Sequence, residues 1–350
     1  MKKLLLTTLL VAGVLFSCFA QKPHMVVFYN LENLFDTIND PDKNDDEFLP
    51  TGIKKWNSSK YYKKQSNIDK VFFDMAAINR EFPAVIGVSE IENRLVLEDL
   101  VAQPKMSLGN YRIVHYDSPD RRGVDCAFLY RPDVFKIEGS KAHKFEMPGM
   151  PNFYTRDLVT MWGTIEGEPF FFLVSHWPSR LGGKEASDPK RDAAAAQCRR
   201  IADSVRMANP NTKVVIMGDL NDDATDKSIT ETLGAKGNIK KLTAGDLYNP
   251  YIDLLKAGYG TLGYRDSWNL FDNIIVSENL AVGSTGSLKL VRAEKNKKNK
   301  KNKFYGNIFS RPYMMQREGQ YRNYPLRTFV SNNFQNGFSD HLPVFIYVGK

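Results

Sequence analysis

The chain has 350 residues, 42% of them hydrophobic and 25% charged. That is enough for one large domain or two ordinary ones, and the composition excludes a fibre or a disordered chain. The formal charge of +8 suggests a polyanion-binding face at first sight, but residues 289–303 carry eight Lys or Arg against Glu294 alone, so the excess is one local segment.

In chain order, "MKKLLLTTLLVAGVLFSCFA" has two lysines, an apolar stretch and a small-residue exit, the layout of a secretory signal. Cleavage is expected after Ala20, leaving Gln21 first and an exported protein, periplasmic or extracellular. A rival reading makes Cys18 a lipidated N-terminus, but the bulky Phe16 departs from the small residues such a signal prefers. No later run is apolar enough to span a bilayer. Cys126 and Cys198 sit among apolar or small residues and read as two buried structural cysteines, although a single disulfide is compatible with export.

The stretch "NDPDKNDDEF" alternates Asp40, Asp42 and Asn44 as a calcium loop does, yet Asp45 stands where Gly is needed and Thr51 where a bidentate Glu is needed. It reads as a solvated acidic loop. Beyond it, β-rich runs end on polar residues: "MVVFYN" at Asn30, "AVIGVSE" at Glu90, "FFFLVSH" at His176 and "KVVIMGD" at Asp219. "DCAFLYR", "DNIIVS" from Asp272 and "LPVFIYV" after His341 complete the set. Continuous apolar runs suit strands buried on both faces, covered here by helices such as "NIDKVFFDMAAINREF" and "KRDAAAAQCRRIADSVRMA". No repeat or linker divides residues 21–350, so one α/β domain is predicted, with the polar strand ends on one rim.

Those rim residues are Asn30, Glu90, His176, Asp219, Asn221, Asp272, Asp340 and His341. Carboxylates and amides are hard ligands suited to Mg²⁺, Mn²⁺ or Ca²⁺, and two histidines without thiolates make no closed zinc site. No G-x-S-x-G elbow and no phosphate loop is present, so water is the expected nucleophile. Taken singly, each feature is weak. "GDLN" is also a turn sequence, "SDH" also caps a strand, Glu90 competes with Glu92 in "SEIEN", and His176 fits a core histidine equally.

The ordered set "FYNLENLFD", "VIGVSEIENR", "RRGVDCAFLYRP", "LVSHWPSR", "IMGDLND", "SWNLFDNIIVS" and "GFSDHLPVF", running from Val26 to Val348, resembles the endonuclease/exonuclease/phosphatase superfamily of deoxyribonuclease-like, metal-dependent phosphoesterases, in particular its secreted bacterial branch. The resemblance implies a four-layer α/β sandwich, two packed mixed β-sheets flanked by helices, with the site at one edge. It implies that Asn30 and Glu90 hold the cation and that Asp340 completes its network. Asp219 would orient or activate water, Asn221 would contact the phosphate and His176 would donate to the phosphate or the leaving oxygen. His341 would be held by Asp272, and the resemblance leaves open whether His341 or Asp219 is the base.

Export favours extracellular polyanions, and a nuclease acting as a monomer is the leading expectation, with a sphingomyelinase-like or other phosphoester hydrolase, or a non-catalytic binding module, as alternatives. Tyr264, Arg265 and Trp268 would stack on bases or pack locally, and Arg180 would clamp a phosphate or face water. "SRPYMMQREGQYRNYPLRTF" and the Lys segment would track a nucleic-acid backbone or remain solvated.

Overall fold

A computed structural model describes residues 22–295, 300–301 and 303–350. The leader with Cys18 lies outside them, as do residues 296–299 and 302 of the Lys segment. Two seven-stranded sheets make the frame. The first contains β1 (His24–Leu34), β2 (Val85–Ile91), β3 (Arg112–His115) and β4 (Asp125–Tyr130). Its remaining strands are Lys289–Val291, Asn307–Ile308 and a C-terminal strand, Val344–Gly349. The second runs β5 (Phe135–His143), β6 (Leu158–Ile165), β7 (Glu168–His176), β8 (Lys213–Asp219), then Asp272–Ser277, Leu247–Tyr248 and Ala235–Lys236 at its edge. Within each sheet one central pair is parallel, β1 with β2 and β7 with β8.

Alternation along single strands sets the layers. On β1, Val26 and Phe28 point between the sheets, where they meet Phe172, Val174 and Met217. Met25, Val27 and Tyr29 point the other way, against Ile68, Phe72 and Met75 of α1 (Ser58–Asn79) and Val96 and Leu97 of α2 (Arg94–Val101). On β8, Val215 and Met217 face inward while Val214 and Ile216 meet Ala194, Ala195 and Cys198 of α3 (Lys184–Ala208). Period-two exposure on strands covered on both sides yields the helix–sheet–sheet–helix order, which is the four-layer α/β sandwich. Helix α1 begins at Ser58, earlier than its apolar periodicity suggested, because Asn57 caps it by accepting from the Lys60 amide.

Cys126 and Cys198 are both free and buried, so no disulfide joins them. The acidic loop after β1 is mostly solvated, but Phe48 packs into the core and Asp45 is buried and accepts from the Asp40 amide at 2.8 Å, a turn-closing contact that the failed calcium template did not anticipate.

Strands β7 and β8 approach closely at Gly218. A Cβ on Gly218 of β8 would lie 1.9 Å from the Ser175 carbonyl oxygen of β7. Relief would require the backbones to part, one residue from both His176 and Asp219. Gly218→Ala is expected to lower stability by at least about 2 kcal/mol in urea denaturation, since the clash is with backbone rather than with a movable side chain.

Candidate active site

The parallel pairs bring four strand ends to one rim. Asn30 is opposite Ser89, the neighbour of Glu90, and His176 and Asp272 both stand opposite Asp219 in register. The strands lose regularity there. Glu90 has φ of 58° at a break in the β2–β4 pairing between Ser89 and Ile91, and Glu32 and Asn33 have φ of 48° and 50° where the β1 register shifts. Left-handed backbone at non-glycine residues carries strain that surrounding contacts must hold. The kink turns Glu90 into the rim, with its Oε2 accepting from the Asn33 amide at 3.0 Å. Glu92 goes elsewhere: its Oε2 accepts from the Asp36 amide at 2.7 Å, beside the acidic loop.

Asp219 is the hub. Asn30 Nδ2 donates to its Oδ2 at 3.0 Å, His176 Nε2 lies 3.5 Å away and His341 Nε2 3.7 Å away. Its Oδ1 accepts from the Asn221 amide at 3.0 Å, which closes an Asx turn with Asn221 at φ of 51°. The Asn221 side chain donates to the Trp177 carbonyl at 2.9 Å. On the other flank, His341 Nδ1 and Asp272 Oδ2 are 2.8 Å apart, and Thr261 Oγ1 donates to the same carboxylate oxygen. Ser339 bridges the His341 turn to β1, donating to the Asn30 carbonyl at 2.7 Å and accepting from the His341 amide at 3.0 Å.

Charge states follow from burial and neighbours. Burial alone would strip the proton from His341, but Asp272, Asp219 and Asp340 together reverse that and raise its pKa well above the usual imidazole value. His176 is driven the opposite way, first by burial and then by the cationic Arg156 and Arg122, and is neutral at pH 7. Burial, with Asp272 and Glu90 nearby, raises Asp219 above the ordinary carboxylate range although His341 opposes it. Glu90, His176 and Asp219 offer ligand atoms within 4.8 Å of one another, and so do Asp219, Asp272 and His341. Asp272 Oδ1 and His176 Nδ1 are buried with no hydrogen-bond partner among the described residues.

Asp340 stands at the margin, its Oδ2 3.1 Å from Arg327 Nη2 and its Oδ1 3.9 Å from His341 Nε2. Arg180 is otherwise engaged: its guanidinium meets Asp226 at 2.8 Å, Asp222 at 3.2 Å and the Asn221 carbonyl at 2.8 Å, and it stacks on Phe271. It therefore braces the loop after β8. Trp268 packs partly into the core, with its ring 6.1 Å from that of Tyr324. Tyr264 is 59% exposed at the tip of a hairpin, with the Arg265 guanidinium 5.2 Å from its ring, so these two face solvent.

A fold and site of this kind can be set beside known proteins. The sequence pattern of the endonuclease/exonuclease/phosphatase family matches residues 25–350. The chain belongs to that family. It is a phosphoester hydrolase accordingly, and the family's enzymes use divalent metals, for which the rim supplies two candidate groups. No curated protein matches the chain. Solved structures share the fold. Humanized TDP2 of D. rerio superposes with a TM-score of 0.54 at 13% identity, covering 94% of this chain and 100% of that one. A Bacteroides thetaiotaomicron endonuclease/exonuclease/phosphatase family protein gives 0.53 at 19% identity, covering 93% and 94%. The mannosyl-6-phosphatase Bt3783 of the same organism gives 0.51 at 18%, covering 93% and 99%. D. rerio TDP2 is also known complexed with a single strand DNA product.

Three arginines border the rim. Arg156 donates to the Trp177 carbonyl at 2.7 Å and pairs with Asp120 at 3.2 Å, Arg122 lies close enough to act on His176, and Arg327 balances Asp340. The "RRGVD" turn before β4 was the one visible signal for Arg122. Below the rim, Lys64 is fully buried. It donates to Thr328 Oγ1 at 2.6 Å and to the Glu32 carbonyl, while Thr328 donates from N and Oγ1 to Glu32 Oε2 at 2.6 and 2.7 Å. That network ties α1, β1 and the segment before His341 together.

The two glutamates separate experimentally. Burial, then repulsion from Asp36, Asp45 and Asp40, pushes Glu92 up to about 8 despite the Asp36 amide bond. Its folded pKa exceeds its unfolded value, so the folded state binds the extra proton and stability falls as pH rises from about 4.5 to 8. Glu92→Gln is expected to flatten that dependence and to exceed wild-type stability by about 1–3 kcal/mol at pH 8, with little difference at pH 5, in urea denaturation with EDTA present.

Proposed function

We propose that the chain is an exported, divalent-metal-dependent phosphodiesterase of nuclease type, monomeric, hydrolysing DNA or RNA with water as nucleophile. The observation that carries this is the convergence on one buried carboxylate oxygen of Asp219 of Asn30, His176 and His341, with Glu90 Oε1 3.9 Å from His176.

The donor set fits a hard cation, Mg²⁺ or Mn²⁺, with Ca²⁺ also accommodated. It consists of carboxylate and amide oxygens, and Asn30 and Glu90 would hold the ion with Asp340 completing its network. When bound, such an ion polarises a phosphoryl oxygen and offsets charge built up in the transition state. The remaining work belongs to the side chains. Asp219 is placed to accept a proton from the attacking water. His341, with Nδ1 held by Asp272, already carries a proton and so presents Nε2–H to a phosphoryl oxygen rather than acting as base. His176, neutral, offers one N–H toward the leaving oxygen. Asn221, held by the Trp177 carbonyl, keeps a fixed amide beside the phosphate position.

For a nucleic-acid substrate, support comes from the Tyr264–Arg265 hairpin tip and from the DNA product seen with D. rerio TDP2, a fold relative. The same tip is polar, which disfavours a sphingomyelinase-like membrane contact. Among the described residues no helix is long and apolar enough to cross a membrane. Export rests on the leader pattern, and mass spectrometry of the protein recovered from a fractionated host should give Gln21 as first residue. A mature chain beginning at lipidated Cys18 would overturn cleavage after Ala20.

The deciding assay sets plasmid DNA, RNA, sphingomyelin, a sugar phosphate and a generic phosphate bis-ester against the protein with Mg²⁺, Mn²⁺ or EDTA. Polynucleotide cleavage that needs the cation is expected, and Glu90→Ala and His341→Ala should each lower kcat/KM at least about 100-fold. Turnover of the sugar phosphate alone would move the reading to a phosphomonoesterase, and full activity in both variants would remove the site.

A further inference from the structure

On the flank of the second sheet, away from the catalytic rim, lies a cavity of about 740 Å³ that the mechanism does not use. Lys236, Lys240, Lys241, Lys256, Arg292 and Lys303 line it, and among the described residues Asp253 is the one acidic side chain in the lining. Arg292 and Lys303 belong to the Lys segment, and the fold brings Lys240, Lys241 and Lys256 to them from elsewhere in the chain. Among the described residues Lys240, Lys241, Lys256, Arg292 and Lys303 have no carboxylate within 4.0 Å, whereas Lys236 is paired with Asp246 at 2.7 Å. Like charge concentrated in this way costs stability, and a phosphate-bearing ligand would relieve it.

The cavity also has a direction. Lys303 and Phe304 form a wall shared with a second cavity of about 550 Å³, whose lining includes Tyr259, Asn307 and Ile308. Tyr259, 54% exposed and set edge-on to Phe304 at 6.2 Å, precedes by two residues Thr261, which donates to Asp272. Ile308 adjoins Phe309, whose amide donates to the Pro343 carbonyl two residues beyond His341. Both sides of the second cavity therefore lead to the two members of the catalytic pair. The first cavity borders Tyr248, which stands opposite Val276, four residues along the strand that starts at Asp272. At about 3.3 Å per residue this separates it from the pair by roughly 13 Å.

We propose that the two cavities form an exosite for the phosphodiester backbone of a single-stranded polynucleotide, leading away from the phosphate being cleaved. Interleaved cations and aromatic rings, with Arg292 4.5 Å from the Tyr305 ring and Lys303 5.4 Å from that of Phe304, suit a sugar-phosphate chain carrying planar bases better than a uniformly sulfated sugar polymer. The inference rests on the nuclease reading and deepens it by naming strand, direction and residues outside the catalytic centre.

The test uses the full exported chain and the variant Lys240→Glu/Lys241→Glu/Lys256→Glu, with the milder triple Gln variant as a second probe. All three lysines are exposed, so both variants should fold. Binding of a fluorescein-labelled 30-nucleotide DNA is followed by anisotropy between about 50 and 300 mM NaCl with EDTA present, alongside turnover of a generic bis-ester with Mg²⁺. The charge reversal is expected to weaken oligonucleotide binding more than about 10-fold and to reduce the slope of log K against log salt by about 2, with a smaller shift for the Gln variant and bis-ester turnover unchanged. Unchanged affinity and slope in a protein that still cleaves DNA would overturn the exosite and leave the nuclease reading standing. A wild-type protein that turns over the bis-ester but neither binds nor cleaves any polynucleotide would remove both. Tight binding of heparin without binding of the oligonucleotide would likewise overturn the proposal.

Discussion

One buried carboxylate sets the terms for the rest of the rim. Asp219 ends a strand that lies between two others, so the sheet itself puts His176 on one side of it and Asp272 on the other. Four acidic groups, Glu90, Asp219, Asp272 and Asp340, then crowd a desolvated edge, and only one imidazole there holds a proton against them. Such an imbalance is costly in a low-dielectric setting unless a cation joins it. The two central parallel strand pairs, the shifts in register and the requirement for a hard ion are therefore parts of one electrostatic problem. Arg327 balances Asp340 at the margin, and Arg156 and Arg122 add to the burial that keeps His176 neutral.

Rigidity comes from polar anchors beneath the surface rather than from packing alone. Arg180 holds three aspartates after β8, Lys64 holds Glu32 and Thr328 across two elements, and Ser339 fastens one turn to the end of β1. Each anchor joins segments far apart in sequence. The strained backbone at Glu90 persists because contacts of this kind surround it, so the side chain is aimed by the kink in its strand and not by rotamer choice alone.

The frame was legible in the sequence because continuous apolar runs, with polar residues at their ends, constrain strands covered on both faces. The gathering of those ends was legible only through their order along the chain. What escaped was whatever depends on loop closure. Whether Arg180 met a phosphate or the protein turned on how residues 221–226 fold back, and no period or spacing encodes that. Glu90 and Glu92 are two apart and would share a face in a regular strand, so the register break that parts them is invisible to pattern. Trp268 resolved toward packing because its partner, Tyr324, arrives from another segment. Buried Asp45 inside an otherwise wet loop had no signal at all, since local turn closure and solvation call for the same residue types.

His341 follows every other member of the candidate site, 69 residues after the carboxylate that holds it. On a ribosome adding about 5–20 residues per second, Asp272 emerges roughly 3–14 s before the imidazole that completes it. A nascent or truncated chain that stops short of His341 thus lacks both the histidine and the strand that seals β1. Closure of the first sheet and arrival of the imidazole therefore depend on the same C-terminal segment.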